Sequence, residues 1–374
     1  MISSMERTNG MADLRVGVIG ASPNGSWGSV AHLPALAALP GVRAQAVSTA
    51  HDDTARATAA KYAIPSAYGT QRDLIADPEV DLVTVAVRVP AHREIVLAAL
   101  AVGKPVYCEW PLGRTTAEAE EMLAAARAAG VAHVVGFQAR RSPALVLARE
   151  MIAAGEVGNV AAAHLLHSVP WGFASPGQAY LMDRDSGAHF LSIPGGHSLD
   201  ALGFLLGEVA EVSAGLTAVA AAPGIARPTA TRGWICAAMA SGTEAGLTLI
   251  GAPGIGSGIR FQISGTKGDL ALVSTPGGRG IQMADLRLFR SIGIGALEEV
   301  EIPERYYPTT TTALGNPALN VAASYQAVSE ALSSATAAGP DFGEAVRCHR
   351  LLDAVQQASD EGTRQSISGK REGM

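Results

Sequence analysis

Leu14 to Leu36 reads LRVGVIGASPNGSWGSVAHLPAL. The apolar run Val16 to Ile19 ends at Gly20, passes through a loop rich in Gly, Ser, Asn and Pro, and enters an apolar helix near Ala31. Strand, glycine loop and helix in that order form the phosphate-cradling unit of a dinucleotide-binding fold, where backbone N–H groups and a helix N-terminus face the pyrophosphate. The spacing G-x-G-x-x-G is absent, since the glycines after Gly20 are Gly25 and Gly28. A longer loop still aims N–H groups at phosphates, with Ser22, Asn24 and Ser26 adding side-chain donors. An ordinary βα turn that happens to contain glycines looks the same over this stretch alone.

The continuation favours the dinucleotide unit. Val42 to Thr49 reads as a strand, and Asp52 with Asp53 reads either as the cap of a helix over Thr54 to Tyr62 or as a ribose-binding pair. Ser48 and Thr49 stand where a second strand meets the adenosine ribose, and with no acid there the cofactor is NAD or NADP. Asp81 to Arg88 is a near-continuous apolar strand, followed by a helix over Ala91 to Ala101 and a strand over Lys104 to Trp110. Thr115 with Glu118 forms a capping box for a helix to Ala129, and Val131 to Phe137 is a further strand. This β-α alternation predicts a doubly wound parallel sheet with right-handed crossovers. Ligands sit at the carboxyl ends of such strands, which gathers Gly20, Ser48, Arg88, His92, Glu109, Trp110 and Gln138 around one cleft.

Beyond Val157 consecutive strands replace the alternation: Asn159 to Ser168, Glu211 to Val219, Arg232 to Ala240, Glu244 to Ile250, Arg260 to Ile263, Leu270 to Val273, Leu286 to Phe289 and Glu298 to Ile302. They predict a largely antiparallel sheet with one face on helices. Asn320 to Ala337 and Gly343 to Ser359 are periodic helices. The expected plan is α/β plus α+β: a tail (1–13), an N-terminal Rossmann domain (14–138), a substrate and oligomerisation domain (139–340), and a C-terminal helix and frayed tail (341–374). Gly251 to Gly258, GAPGIGSG, lacks the lysine of a phosphate loop and joins strands, so it is a turn.

The 374 residues carry 48% hydrophobic and 17% charged side chains, the balance of a globular enzyme with a large core. Net charge is −6 with scattered basic residues, which argues against direct nucleic-acid binding. Cys108, Cys236 and Cys348 lack metal spacing and suit a reducing, cytoplasmic setting. No bound metal, signal peptide or membrane span is expected.

At Glu109 to Gly113, EWPLG, the chain resembles the glucose-fructose oxidoreductase, inositol dehydrogenase and rhizopine catabolism family, Gfo/Idh/MocA. AVGKP at Ala101 to Pro105, GFQARRSP at Gly136 to Pro143, AAGEVGNV at Ala153 to Val160, GGHSLD at Gly195 to Asp200 and GTKGDL at Gly265 to Leu270 extend the match. The resemblance implies NAD(P) binding and pairing of two copies through the open face of the second sheet. It also implies a catalytic lysine where this chain has Trp110, and a motif D-x-G-x-H-x-x-D in which Ile193 replaces the first aspartate while Gly195, His197 and Asp200 are retained. These departures resemble the branch of the yeast galactose-gene repressor, which has a long first loop with a tryptophan, here Trp27, and an E-W motif. That branch mixes regulators with proteins that look like sugar-handling enzymes.

Oxidation of a secondary alcohol needs a base on the hydroxyl, and a histidine suits it. His197 opens a helix after Gly195 and Gly196 and is the expected proton-transfer residue. Asp200 lies on nearly the same helix face, to orient His197, to bind a substrate hydroxyl or to complement the helix dipole. Trp110 cannot exchange a proton; its ring walls the nicotinamide, stacks on a sugar or simply packs. His92 lies near the nicotinamide or on a helix surface. Between Ser168 and Gly196, Trp171, Phe173, Gln178, Tyr180, Asp183, Arg184, Asp185 and His189 mix aromatic faces with hydroxyl-binding groups, as a sugar or polyol site does or as a surface loop happens to. Tyr180 and His189 are reserve acid or base candidates. The expected function is an NAD(P)-dependent oxidoreductase for a sugar, sugar derivative or cyclic polyol. The competing functions are a redox-neutral lyase or epimerase with tightly held NAD, and a non-catalytic NAD(P)-binding regulator.

Overall fold

The computed structural model describes residues 13–171, 176–218, 225, 227–252, 254, 256–274, 280–308, 314–334, 336 and 338–367. The expected tail except Asp13, Phe173, and the last part of the expected frayed end lie outside the described residues.

The first unit alternates β1 (Leu14–Ile19), a π-helical turn (Gly28–His32) continuous with α1 (Leu33–Ala38), β2 (Val42–Ser48), α2 (Asp52–Tyr62), β3 (Ser66–Tyr68), α3 (Gln71–Ala76), β4 (Leu82–Val85), α4 (His92–Ala101), β5 (Val106–Glu109), α5 (Thr116–Ala129) and β6 (His133–Gly136). The strands form a six-stranded sheet in the order β3-β2-β1-β4-β5-β6, all parallel. Every residue of β4, LVTV, is buried, as covering both faces of a parallel sheet requires. Thr115 caps α5 by accepting the Glu118 N–H, and Gly130 ends it in the left-handed conformation. The capping box is only half formed, because the Glu118 carboxylate accepts from the N–H of Arg114 at 2.8 Å instead.

The second unit contains α6 (Pro143–Ala153), β7 (Val160–Pro170), short 3-10 turns at Pro176–Met182 and Arg184–Ser186, and a π-helical turn (Leu191–Gly195) running into α7 (Gly196–Leu206). Then come β8 (Val209–Thr217), β9 (Arg232–Met239), β10 (Glu244–Ala252), β11 (Gly258–Gly265), β12 (Asp269–Ser274), β13 (Leu286–Arg290), β14 (Glu298–Val300), α8 (Ala318–Ser334), α9 (Phe342–Glu361) and β15 (Gln365–Ser366). The nine-stranded sheet has the order β14-β13-β12-β11-β7-β10-β9-β8-β15 and is antiparallel except between β7 and β10. Along β9, Ile235, Ala237 and Met239 point into the core while Arg232, Trp234 and Cys236 face outward. β15 corrects the expectation of a wholly frayed end, since Gln365 and Ser366 pair with β8.

The last two helices return to the first unit: α8 packs on α1, and α9 lies against both α5 and β8. Residues of β5 alternate between them. Tyr107 meets Tyr325 of α8 at 5.3 Å between rings, whereas Trp110, just after β5, meets His349 of α9 at 4.6 Å. The Trp110 indole N–H donates to the Ser192 carbonyl at 2.8 Å, and a Cβ on Gly196 would lie 2.6 Å from that nitrogen. Arg140, following β6, pairs with Asp200 of α7 at 2.7 Å and with Glu344 of α9, so an indole and a guanidinium join the units.

Histidines around α7 and α9 are held neutral by burial, which pushes His167 and His197 down to about 3 and His189 and His349 down to about 4. Their folded values lie below the unfolded value of about 6.5, so their stability contribution is present above that pH and is lost as pH falls toward 3 to 4. Melting temperature is therefore expected to fall between pH 7 and pH 4, and His167→Gln to flatten that dependence; an unchanged profile would remove His167 from the account. Gly196 has helical φ (−61°), so Gly196→Ala acts by crowding Trp110 and is expected to cost about 1–3 kcal/mol in denaturant unfolding. The cost should shrink in a Trp110→Leu background; equal costs in both would show that the indole is not what the new methyl meets.

Candidate functional site

Gly20 turns the chain out of β1 at φ +101°, where a Cβ would lie 2.6 Å from the Ala86 carbonyl, so glycine alone fits. Its N–H donates to the Ser48 carbonyl at 2.9 Å, which fixes the ends of β1 and β2 together. A Cβ at Gly28 would lie 2.9 Å from the Cα of Ala21, so the helix begins close over the loop. Asn24 and Gly25 are exposed at the tip and Ser22 is half-buried. Ser26 departs from expectation, because its hydroxyl turns inward to the Ser22 carbonyl at 3.1 Å. Trp27 lies edge-on to His32, and its indole N–H is buried with no acceptor among the described residues. An unpartnered buried donor at a helix start suits an anionic ligand, so these residues fit a dinucleotide pyrophosphate.

At the end of β2, the Thr49 hydroxyl donates to the His51 carbonyl at 2.8 Å and meets Thr54 at 2.6 Å, which corrects its expected part in ribose binding. His51, not Asp52 or Asp53, is the N-cap of α2; the two acids lie exposed in its first turn.

Arg88, exposed after β4, holds its guanidinium 4.5 Å from the ring centre of Tyr180, bringing the two units together over the carboxyl edge. His92 is buried, with ring nitrogens 2.9 Å from the Pro111 carbonyl and 3.0 Å from that of Val87. It ties the loops after β4 and β5 together, a correction to both its expected places. Glu109 and Gln138 also turn inward. The Gln138 amide donates to both Glu109 oxygens at 2.8 and 2.6 Å, and a Cβ on Gly136 would lie 2.7 Å from that carboxylate. Gln138 is fully buried, which corrects its expected cofactor contact.

Glu109 belongs to a longer chain of hydrogen bonds. His32 Nε2 is 2.9 Å from Glu109 Oε1, His32 Nδ1 is 2.7 Å from the Tyr325 hydroxyl, and that hydroxyl is 2.9 Å from Thr84 Oγ1. The carboxylate only accepts, so His32 donates from Nε2. The sequence reading missed His32, Thr84 and Tyr325. The one available signal was a histidine within the apolar run VAHLPAL.

The expected catalytic pair is separated. His197 is 3% exposed, with Phe137 edge-on at 6.0 Å and its Nδ1 without a partner among the described residues. Asp200 takes Arg140 Nε at 3.0 Å and Nη2 at 2.7 Å, so it orients Arg140 and not His197; burial raises its carboxyl to about 6 against the pull of Arg140. Trp110 is buried among Phe137, His349 and Gly196, which corrects the expectation of a ring offered to nicotinamide or sugar. Asp183 caps the turn at Arg184–Ser186 through the Asp185 N–H at 3.0 Å, a local structural use of a side chain expected to bind substrate. Trp171 lies edge-on to Phe190 at 5.4 Å with its indole N–H unpartnered among the described residues, and His189 Nδ1 accepts the Ser192 N–H at 3.3 Å. Among the described residues, no group of three or more His, Cys, Asp or Glu is arranged to hold a metal ion.

Residues 14–137 match the oxidoreductase family with an NAD-binding Rossmann fold, and residues 145–271 match the GFO/IDH/MocA C-terminal domain. The chain is 36% identical to trans-1,2-dihydrobenzene-1,2-diol dehydrogenase of Mus musculus over 153 residues, 38% of this chain and 46% of that protein. It is 30% identical to levoglucosan dehydrogenase of Pseudarthrobacter phenanthrenivorans over 218 residues, 55% of either chain. It thus spans about half the length of the curated relatives it matches. A super-repressor mutant of Gal80p from Saccharomyces cerevisiae shares the fold with TM-score 0.81 at 20% identity, covering 96% of this chain and 98% of that one. Both domains of one family occur here in order on a shared architecture, and the chain belongs to the Gfo/Idh/MocA oxidoreductase family.

Proposed function

We propose that the protein is an NAD(P)-dependent oxidoreductase acting on a CH–OH group of a sugar, sugar derivative or cyclic polyol. The observation that carries this is the unpartnered Trp27 N–H on a loop that Gly20 and Gly28 hold close to β1, in a family with an NAD-binding fold. The names of the relatives, a cyclic diol dehydrogenase and an anhydrosugar dehydrogenase, support the substrate class. When bound, the nicotinamide supplies the hydride acceptor. The chain supplies the rest: the loop from Gly20 to Gly28 holds the diphosphate, and an imidazole takes the hydroxyl proton as the C–H electron pair departs and a carbonyl forms. His197 is that imidazole in this proposal, with a ring nitrogen that no group among the described residues occupies. His189 is the reserve. A cytoplasmic location belongs to the same proposal; no helix among the described residues is long and apolar enough to cross a membrane.

Trp110 favours a second reading. A packed indole in place of a proton-exchanging lysine suits a dinucleotide-binding regulator that acts by protein contact. Dinucleotide absorbance, followed with NAD and NADP against sugars, polyols and their keto forms, separates the two. A substrate-dependent change is expected, with kcat falling by about 10²-fold or more in His197→Ala. Cofactor binding without any change would favour the regulator or a redox-neutral enzyme, and undiminished turnover in His197→Ala would discard that residue's role.

The outward face of the second sheet is proposed to pair with a second copy. Trp234, 51% exposed and lying across Gly215, is its largest apolar side chain, with Ile250 nearby on β10. Light scattering should show an oligomer that Trp234→Glu dissociates; a monomeric unmodified chain would refute this pairing.

A further inference from the structure

We infer that Glu109 sets the redox preference of the dinucleotide site, favouring the cationic oxidised nicotinamide over the neutral reduced one. This rests on the proposed dinucleotide binding.

The argument begins with position. In the order β3-β2-β1-β4-β5-β6 the strand order reverses between β1 and β4, so a dinucleotide lies across that point with adenosine toward β2 and nicotinamide toward β4 and β5. Glu109 is the last residue of β5 and lies at that carboxyl edge, 7% exposed. Burying a carboxylate is costly unless its oxygens are hydrogen-bonded, and here every donor is in place. Gln138 reaches both oxygens and His32 reaches one, while glycine at position 136 leaves room for the pair.

The donors matter as much as the acid. Burial keeps the Tyr325 hydroxyl protonated well beyond neutral pH, and that hydroxyl holds His32 Nδ1 at 2.7 Å while His32 Nε2 donates to the carboxylate. The Gln138 amide is neutral. The network supplies the hydrogen bonds that a buried carboxylate needs, and the charge acts in a medium much less screening than water. A ligand whose two forms differ by one positive charge at the nicotinamide ring feels that difference directly. Thr84 and Tyr325 lie deeper in the network and act only through His32, as positioning residues.

The test is calorimetric titration of the full chain with NAD+, NADH and ADP-ribose, repeated on Glu109→Gln. The unmodified chain should bind NAD+ about tenfold or more tightly than NADH, about 1.4 kcal/mol, and the variant should lose that ratio while binding ADP-ribose as before. An unmodified chain that binds NADH as well as or better than NAD+ overturns the inference without any variant. Equal weakening of NAD+ and NADH in Glu109→Gln also overturns it, because a merely structural glutamate behaves so. If the variant no longer binds ADP-ribose, its fold is lost and the ratio in the unmodified chain decides. Failure of all three ligands on the unmodified chain overturns the dinucleotide site itself, an outcome distinct from a flat NAD+ to NADH ratio.

Discussion

A carboxylate buried at the end of a central strand has to be surrounded by donors, and that requirement organises the first unit and its join to the second. Glu109 recruits Gln138 from beyond β6, His32 from the turn after the glycine-bearing loop and, through His32, Tyr325 from α8. Those donors come from widely separated parts of the chain. The hydrogen bonds therefore close only when the Rossmann sheet, the loop helix and α8 are all in place, which makes the network a check on the assembled fold.

The opposite face of β5 obeys a different rule. Cys108 and Trp110 point toward α4 and α9, where packing and not polarity governs. Trp110 fills space that the missing Cβ of Gly196 leaves open and uses its one donor on Ser192. The substitution of an indole for a lysine thus turns a position expected to do chemistry into one that holds two units together. Whatever proton transfer occurs must come from elsewhere, and the imidazoles near this seam are kept neutral by burial.

Much of this was legible in the sequence because apolar periodicity reports burial directly. β4 and the eight major strands of the second sheet stood out as apolar or alternating runs between Gly and Pro turns. β3 and α3, SAY and QRDLIA, were too short to show a period, and β15 was hidden in a polar stretch. The candidate site was less legible, since spacing along a helix reports only local neighbours. Asp200 and His197 share a helix, yet Asp200 is claimed by Arg140, 60 residues earlier. Nothing local marks Tyr325 as the partner of His32, 293 residues away.

The two margins of the second sheet have a consequence of their own. A bare outer strand offers unpaired N–H and C=O groups to any other strand, and so invites runaway sheet growth between molecules. On one side β15 pairs with Glu211 and Val212 near the start of β8, while on the other β14 is only three residues long and carries Glu298 and Glu299. The C-terminal segment thus acts as a selvedge over the start of β8, and a short, acidic β14 at the other margin leaves little edge on which a second chain could be stitched into fibres.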